Sequence, residues 1–112
     1  MEIGFRRPSE QELFRDPSQV RRKYGPVCAK KIALRFQQIK ASENLDMLCK
    51  LPQVRCHQLV ADRNEQFSLD LEHPLRMIVE VADRPVPRLT DGGIARDQVG
   101  RLVFVEITDT HR

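Results

Sequence analysis

QFSLDLEHPLRMIVEV, residues 66–81, decides the fold. Phe67, Leu69 and Leu71 alternate with Ser68 and Asp70, and Leu75, Met77, Val79 and Val81 alternate with Arg76, Ile78 and Glu80. A period of two puts successive side chains on opposite faces of a strand, so each run has one mainly apolar face. Glu72-His73-Pro74 between them reads as the turn of a hairpin. Upstream, 54–59 (VRCHQL) predicts another strand, and Asp62 to Gln66 a turn. Downstream, 101–107 (RLVFVEI) predicts the last strand, with a tail from Thr108 to Arg112. The stretch 82–100, with Pro85, Pro87 and Gly92-Gly93, is a long loop. Such loops are uncommon unless they are functional or form extended hairpin arms.

Before residue 53 the period is helical. EIGFR, 2–6, is a short first strand, stopped by Pro8. Ser9 and Glu12 have the spacing of a capping box, and Leu13 and Phe14 give that helix an apolar side. Asp16-Pro17 starts a second helix, Asp as cap and Pro at the first helical position. It runs to about Tyr24, where Gly25-Pro26 interrupts it. A third helix spans about 26–41, with Cys28, Ile32, Phe36 and Ile39 as its apolar stripe. Lys30, Lys31, Arg35, Gln38 and Lys40 fall largely elsewhere, on a basic face that is either solvated or a meeting place for phosphate or an acidic partner. Residues 42–47 add a short turn.

Helices first and antiparallel strands second predict an α+β fold, with the N-terminal helices on one face of a small, mainly antiparallel sheet. Cys28, Ile32, Phe36, Phe67, Leu69, Met77 and Val79 are the expected core. The other sheet face is left open.

The 112 residues make one domain, with 31% charged residues, 40% hydrophobic residues, and a net charge of +3. No apolar run approaches the roughly 20 residues that span a bilayer. MEIGFRRPSE lacks a signal-peptide core, so the cytoplasm is the expected location. A mildly basic domain is compatible with an RNA or ribosome partner, though the same charge is common in unrelated proteins. Cys28, Cys49 and Cys56 form no C-x-x-C pair and are expected as reduced, partly buried thiols. Cys56 and His57 are neighbours in a strand and point to opposite faces, so they do not form a nucleophile–base pair.

The polar residues of the C-terminal half are His57, Asp62, Arg63, Arg76, Asp109 and His111. Histidine titrates near neutral pH and serves as acid or base, and arginine holds phosphate bidentately. Both are what phosphodiester chemistry on RNA needs. Each residue also has a structural reading: Arg76 paired across the sheet with Glu80 or Glu106, Asp62-Arg63 as a turn ion pair, and His57 as a hydrogen-bonded strand histidine.

CHQLVADRNEQFSLDL at 56–71, LRMIVEV at 75–81, DRPVPRLTDGG at 83–93 and VEITDTHR at 105–112 resemble, in order and spacing, the HigB-like killer branch of the RelE/ParE toxin superfamily. That branch's pattern reads CHxLKGDRxGxFSxDL, then xxRLIFE, then DPVPRxxDGG, then EIxDYH. The resemblance covers roughly residues 20–112. It implies a ribosome-dependent mRNA endonuclease, using 2′-hydroxyl attack without metal or other cofactor, and neutralised by a small helix-turn-helix antitoxin. It implies His111 as acid or base, Arg76 as phosphate clamp, Asp109 as an auxiliary polar group, and Arg63 and His57 as RNA or phosphate contacts. Val60-Ala61 stands where the pattern has Lys-Gly, and Thr110 where it has Tyr. These departures keep two alternatives open: a toxin-fold protein that binds an antitoxin without cleaving RNA, and a toxin acting on gyrase as the ParE branch does.

Overall fold

The computed structural model describes residues 1–109. The 66–81 alternation becomes an antiparallel hairpin, β3 (Gln66–Asp70) with β4 (Leu75–Val81), as expected. Two strands flank it on one side: β5 (Arg101–Asp109), antiparallel to β4, and β1 (Glu2–Phe5), parallel to β5. β2, at the opposite edge, pairs with β3 and is only His57–Gln58. The sheet order is β1-β5-β4-β3-β2. The architecture is α+β, with helices packed on a mixed sheet that is antiparallel except at β1.

The expected strand 54–59 is thus mostly not a strand. Pro52–Val54 forms a 3-10 turn and Arg55 adopts a left-handed φ of 46°, so pairing starts only at His57. The same reversal brings the Cα atoms of Cys49 and Cys56 to 5.0 Å, within bridging range, and the two are joined by a disulfide. The expectation of three reduced thiols fails for this pair. Cys28 is free and buried.

Four helices precede β2: α1 (Pro8–Arg15), α2 (Pro17–Tyr24), α3 (Pro26–Ala41) and α4 (Leu45–Cys49). The Ser9–Glu12 capping box does not form. Helix α1 begins two residues earlier, with Arg7 at the cap and Pro8 in the first turn, where its missing N–H costs nothing. Asp16 does cap α2, accepting from the backbone N–H of Ser18 at 3.1 Å and of Gln19 at 3.4 Å. Gly25, at φ 83°, makes the left-handed step between α2 and α3 that a side chain would resist.

The expected core residues come together. Cys28, Ile32, Phe67, Leu69, Met77 and Val79 are buried, and Phe36 packs half-buried against them. Phe5, Phe14, Phe36 and Phe104 form an aromatic cluster with centroids 5.0–6.1 Å apart, joining β1, α1, α3 and β5. Arg35 is a correction. It is 5% exposed, not part of a basic surface. Its guanidinium donates to the backbone carbonyls of Asp70 at 2.6 Å and Gln53 at 2.8 Å, and to Gln38 Oε1 at 3.0 Å. The apolar stripe of α3 passes directly beside this position, so the long arginine stem lies along it while the head finds carbonyls.

The 82–100 stretch is not simply an open loop. Its tip turns at 88–94, where Leu89 N–H donates to the Gly93 carbonyl at 2.7 Å. Its second half supplies Ile94, Ala95 and Val99 to the buried interior. Asp83 ties its base by accepting from the backbone N–H of Gly100 and Arg101 at 3.2 and 3.0 Å.

Candidate functional site on the open sheet face

Residues of the sheet that do not point at the helices form a polar face. Register places them in rows. His57, Ser68, Ile78 and Glu106 make one, Asp70, Arg76 and Thr108 a second, and Gln66, Glu80 and Val103 a third. Ser68 and Ile78, at the middle of the first row, are buried although no helix covers this face. The long side chains around them close over the apolar surface.

Charge pairs organise the face. Arg63 Nη2 donates to Glu106 Oε2 at 2.5 Å and its Nη1 to Gln66 Oε1 at 3.1 Å, so it reaches from the β2–β3 connection over the sheet to β5. Arg6 Nη2 donates to Glu80 Oε2 at 2.5 Å. Asp70 receives two cations, Arg76 on one oxygen and Arg55 Nε at 3.3 Å on the other. In these printed contacts four guanidinium groups meet three carboxylates, leaving one cation in excess. A guanidinium carries five N–H donors, so each paired arginine keeps donors for a phosphate. The more exposed of these pairs, such as Arg6 with Glu80, hold together by about 0–1 kcal/mol, whereas Arg76 and Asp70 are partly buried.

The sequence-predicted site residues are only partly gathered. His57, Arg63 and Arg76 stand on the open face. Arg63 pairs with Glu106 instead of Asp62, and Arg76 with Asp70 instead of Glu80 or Glu106. Asp109 is opposite Leu75, one step out of phase with the Arg76–Thr108 row, so it takes the other face of the strand. The strand does continue past Ile107, through Asp109, so Thr108 and Asp109 are not tail. His111 lies outside the described residues. Among the described residues, no three His, Cys, Asp or Glu side chains gather as a metal ion would require.

Arg55 is a member of this face that sequence reasoning missed, and Glu106, expected only as a partner of Arg76, binds Arg63 instead. Strict alternation from Leu102 and Phe104 would send Glu106 inward. A bulge at β5, where Ile78 pairs with Glu106 and Val79 with Phe104, inserts Val105 and flips the phase. Glu106 then faces out and Ile107 packs in. The only sequence signal is a glutamate at an apolar phase. Arg55 had no signal, since its placement depends on its left-handed backbone.

The connection carrying Arg63 is bent at two non-glycine residues, Ala61 at φ 59° and Glu65 at φ 68°. Glu65 is braced by Arg88 from the 82–100 arm, whose Nη2 donates to Glu65 Oε1 at 3.0 Å, and this hydrogen bond holds the Glu65 carboxyl below its usual range. Ala61 has no brace of that kind. Ala61→Gly should stabilise the protein by about 0.5–1 kcal/mol, because relief of the left-handed strain exceeds the chain entropy glycine adds. Urea unfolding checks this, and a lowered midpoint would refute the strain.

No protein-family model matches the sequence, and no curated protein matches it significantly. Among the described residues, no helix is long and apolar enough to cross a membrane.

Proposed function

We propose that this chain is the toxin half of a toxin–antitoxin pair: a cytoplasmic, ribosome-dependent mRNA endonuclease, related to the HigB-like killer toxins and neutralised by a small helix-turn-helix antitoxin. One observation carries the reading. In the quoted pattern, glycine stands at positions 61, 65, 92 and 93, and in this chain three of the four have positive φ, at 59° (Ala61), 68° (Glu65) and 90° (Gly92). Positive φ is what glycine relieves. A chance likeness of letters has no reason to match backbone conformation at positions where two of the letters differ.

The chemistry follows from the residue types. Internal cleavage of RNA needs the 2′-hydroxyl deprotonated, the phosphorane charge stabilised and the leaving 5′-oxygen protonated. His111 is the proton-transfer group, and Arg76 the clamp on the charged intermediate. Arg63 and His57 contact the RNA. Asp109 is given no step, since its phase differs from that of Arg76. The arginine–carboxylate pairing, with Val60 in place of lysine, favours a second reading, in which the protein binds its antitoxin but cleaves poorly or not at all.

Val60 separates the two readings. It is 77% exposed, so lysine fits there without disturbing the core. Controlled expression in cells, with mapping of mRNA ends, should show growth arrest and cleavage on translated messages, stronger for Val60→Lys than for wild type. Co-expression with the small helix-turn-helix protein of the adjacent gene should suppress both. Arrest with intact mRNA and altered DNA supercoiling would instead point to gyrase. No arrest from either form, with a stable antitoxin complex, would leave the binding-only reading.

A further inference from the structure

Cys49 closes α4 and Cys56 immediately precedes β2, seven positions later in the chain. The turn between them is built without help from the sulfurs. Leu51 N–H donates to the Leu48 carbonyl at 3.2 Å, Val54 N–H to Leu51 at 3.2 Å, and Arg55 N–H to Pro52 at 3.3 Å. Arg35 donates to the Gln53 carbonyl at 2.8 Å, and Val54 is fully buried. This scaffold sets the Cα atoms of the two cysteines 5.0 Å apart, so the thiols of a reduced chain already stand within bridging range. Both cysteines are half-buried, within reach of a small molecule. Cys28 differs: it is buried in the core, and burial pushes its thiol up and makes it inert.

Two arguments make this bond reversible rather than a permanent staple. It closes a short loop, and a short loop gains less from cross-linking than a long one. In the cytoplasm proposed above, the glutathione pool keeps accessible thiols reduced, and a bond that forms there is transient. Its position gives it something to control. Arg55, the residue before Cys56, has its Nε 3.3 Å from one Asp70 oxygen, and Arg76 holds the other.

We propose that Cys49 and Cys56 form a reversible dithiol–disulfide site whose co-substrate is a low-molecular-weight disulfide such as glutathione disulfide, and that its state sets how firmly Arg55 is held over Asp70. One protein thiolate attacks a sulfur of the small disulfide, forming a mixed disulfide and releasing one small thiol. The second protein thiolate attacks the protein sulfur of that mixed disulfide, closing the Cys49–Cys56 bond and releasing the other. The two protein thiols give up two electrons and two protons, and the small disulfide becomes two thiols. With the bond closed, the left-handed backbone of Arg55 has a covalent anchor one residue away. With it open, only the hydrogen bonds of the turn hold Arg55, and its exposed side chain leaves Asp70 to Arg76 at little cost. The site takes only its cytoplasmic setting from the proposed function.

The test uses the full chain in defined buffers without RNA, so its result stands apart from the toxin assignment. Protein is equilibrated with reduced and oxidised glutathione at ratios from cytosolic to strongly oxidising, quenched in acid, unfolded and alkylated. Intact mass should show all three cysteines alkylated in the most reducing buffer and only Cys28 in the most oxidising. Between them, a tenfold change in the squared glutathione concentration over that of its disulfide should change the ratio of dithiol to disulfide about tenfold, as a two-electron couple requires. A bond still closed in the most reducing buffer would make it a structural staple, and one that never closes would leave no site; either result overturns the proposal. Amide hydrogen exchange reads the effect on Arg55. Exchange at Val54 and Arg55 should be about tenfold faster or more in the dithiol form, and equal exchange in the two forms would overturn the link to Arg55. Cys49→Ser and Cys56→Ser should each take up one glutathione in oxidising buffer, at the remaining sulfur of the pair, and keep the fast exchange. Glutathione on Cys28 instead would overturn the assignment. The two forms of the wild-type chain share one sequence, so their comparison decides the matter even where a serine variant fails to fold.

Discussion

Arg35→Ala is expected to destabilise the protein by about 3 kcal/mol, lowering the melting temperature by roughly 10 °C. The substitution removes a buried cation and leaves the backbone carbonyls of Asp70 and Gln53 without their donors. Each hydrogen bond to a charged group contributes about 1.5–3 kcal/mol. Burial pulls the guanidinium's pKa down and the charge of Asp70 opposes that shift. Arginine stays protonated at any working pH, so the loss should be nearly independent of pH. Arg35→Met restores the lost bulk and should be milder than alanine, and the difference measures packing apart from hydrogen bonding. A cost below about 1 kcal/mol for Arg35→Ala would show that the residue behaves as an ordinary surface arginine.

The same residue ties the core to the candidate site. Asp70 gives its carbonyl to Arg35 and its carboxylate to Arg55 and Arg76. Gln53, the other carbonyl, lies two residues before Arg55. Loosening Arg35 therefore loosens the end of β3 and the turn that holds Arg55 over the sheet. Residues sharing contacts in this way do not add independently, so Arg35→Met combined with Arg76→Ala should deviate from the sum of the single changes.

His111→Ala and Arg76→Ala should each lower mRNA cleavage by about two orders of magnitude or more, if the proposed chemistry holds. The two losses differ in kind. Removing a histidine that transfers a proton should also flatten one limb of the pH–rate profile. Removing Arg76 should leave that limb in place and lower the rate throughout. Arg76→Lys should recover only part of the loss, because an ammonium keeps the charge but not the fork. Stability should change little on Arg76→Ala, since Asp70 keeps Arg55. Equal toxicity of wild type and His111→Ala, at matched expression, would sink the endonuclease assignment and favour gyrase or a purely binding role.

Which parts of the site were legible follows from how far each residue's position depends on local pattern. Arg76 is read correctly as facing the open side, because it sits in an unbroken alternation from Leu75 to Val81. Asp109 is read less well, because the bulge at Val105 resets the phase of β5 between Phe104 and Glu106. Arg35 is misread as surface because composition treats every arginine as solvated. Only the meeting of α3 with the ends of β3 and the 3-10 turn supplies the carbonyls that bury it.

The sequence by itself determined the element types, the helix-then-strand order and most of the core. Periodicities of two and 3.6, with proline and glycine at the boundaries, are local properties that the backbone obeys wherever packing permits. The sequence also carried the helix break at Gly25-Pro26 and the Asp16 cap. Tertiary structure alone decided the sheet order, with β1 parallel to β5, the inward turn of Arg35, and the Cys49–Cys56 bridge. It also decided the matching of Arg63 to Glu106 and Arg76 to Asp70. Those contacts join residues far apart in the chain, or depend on a hairpin's register, a single bulge or a left-handed residue. Their energies favour a particular pairing only after the hydrophobic core has brought the elements together.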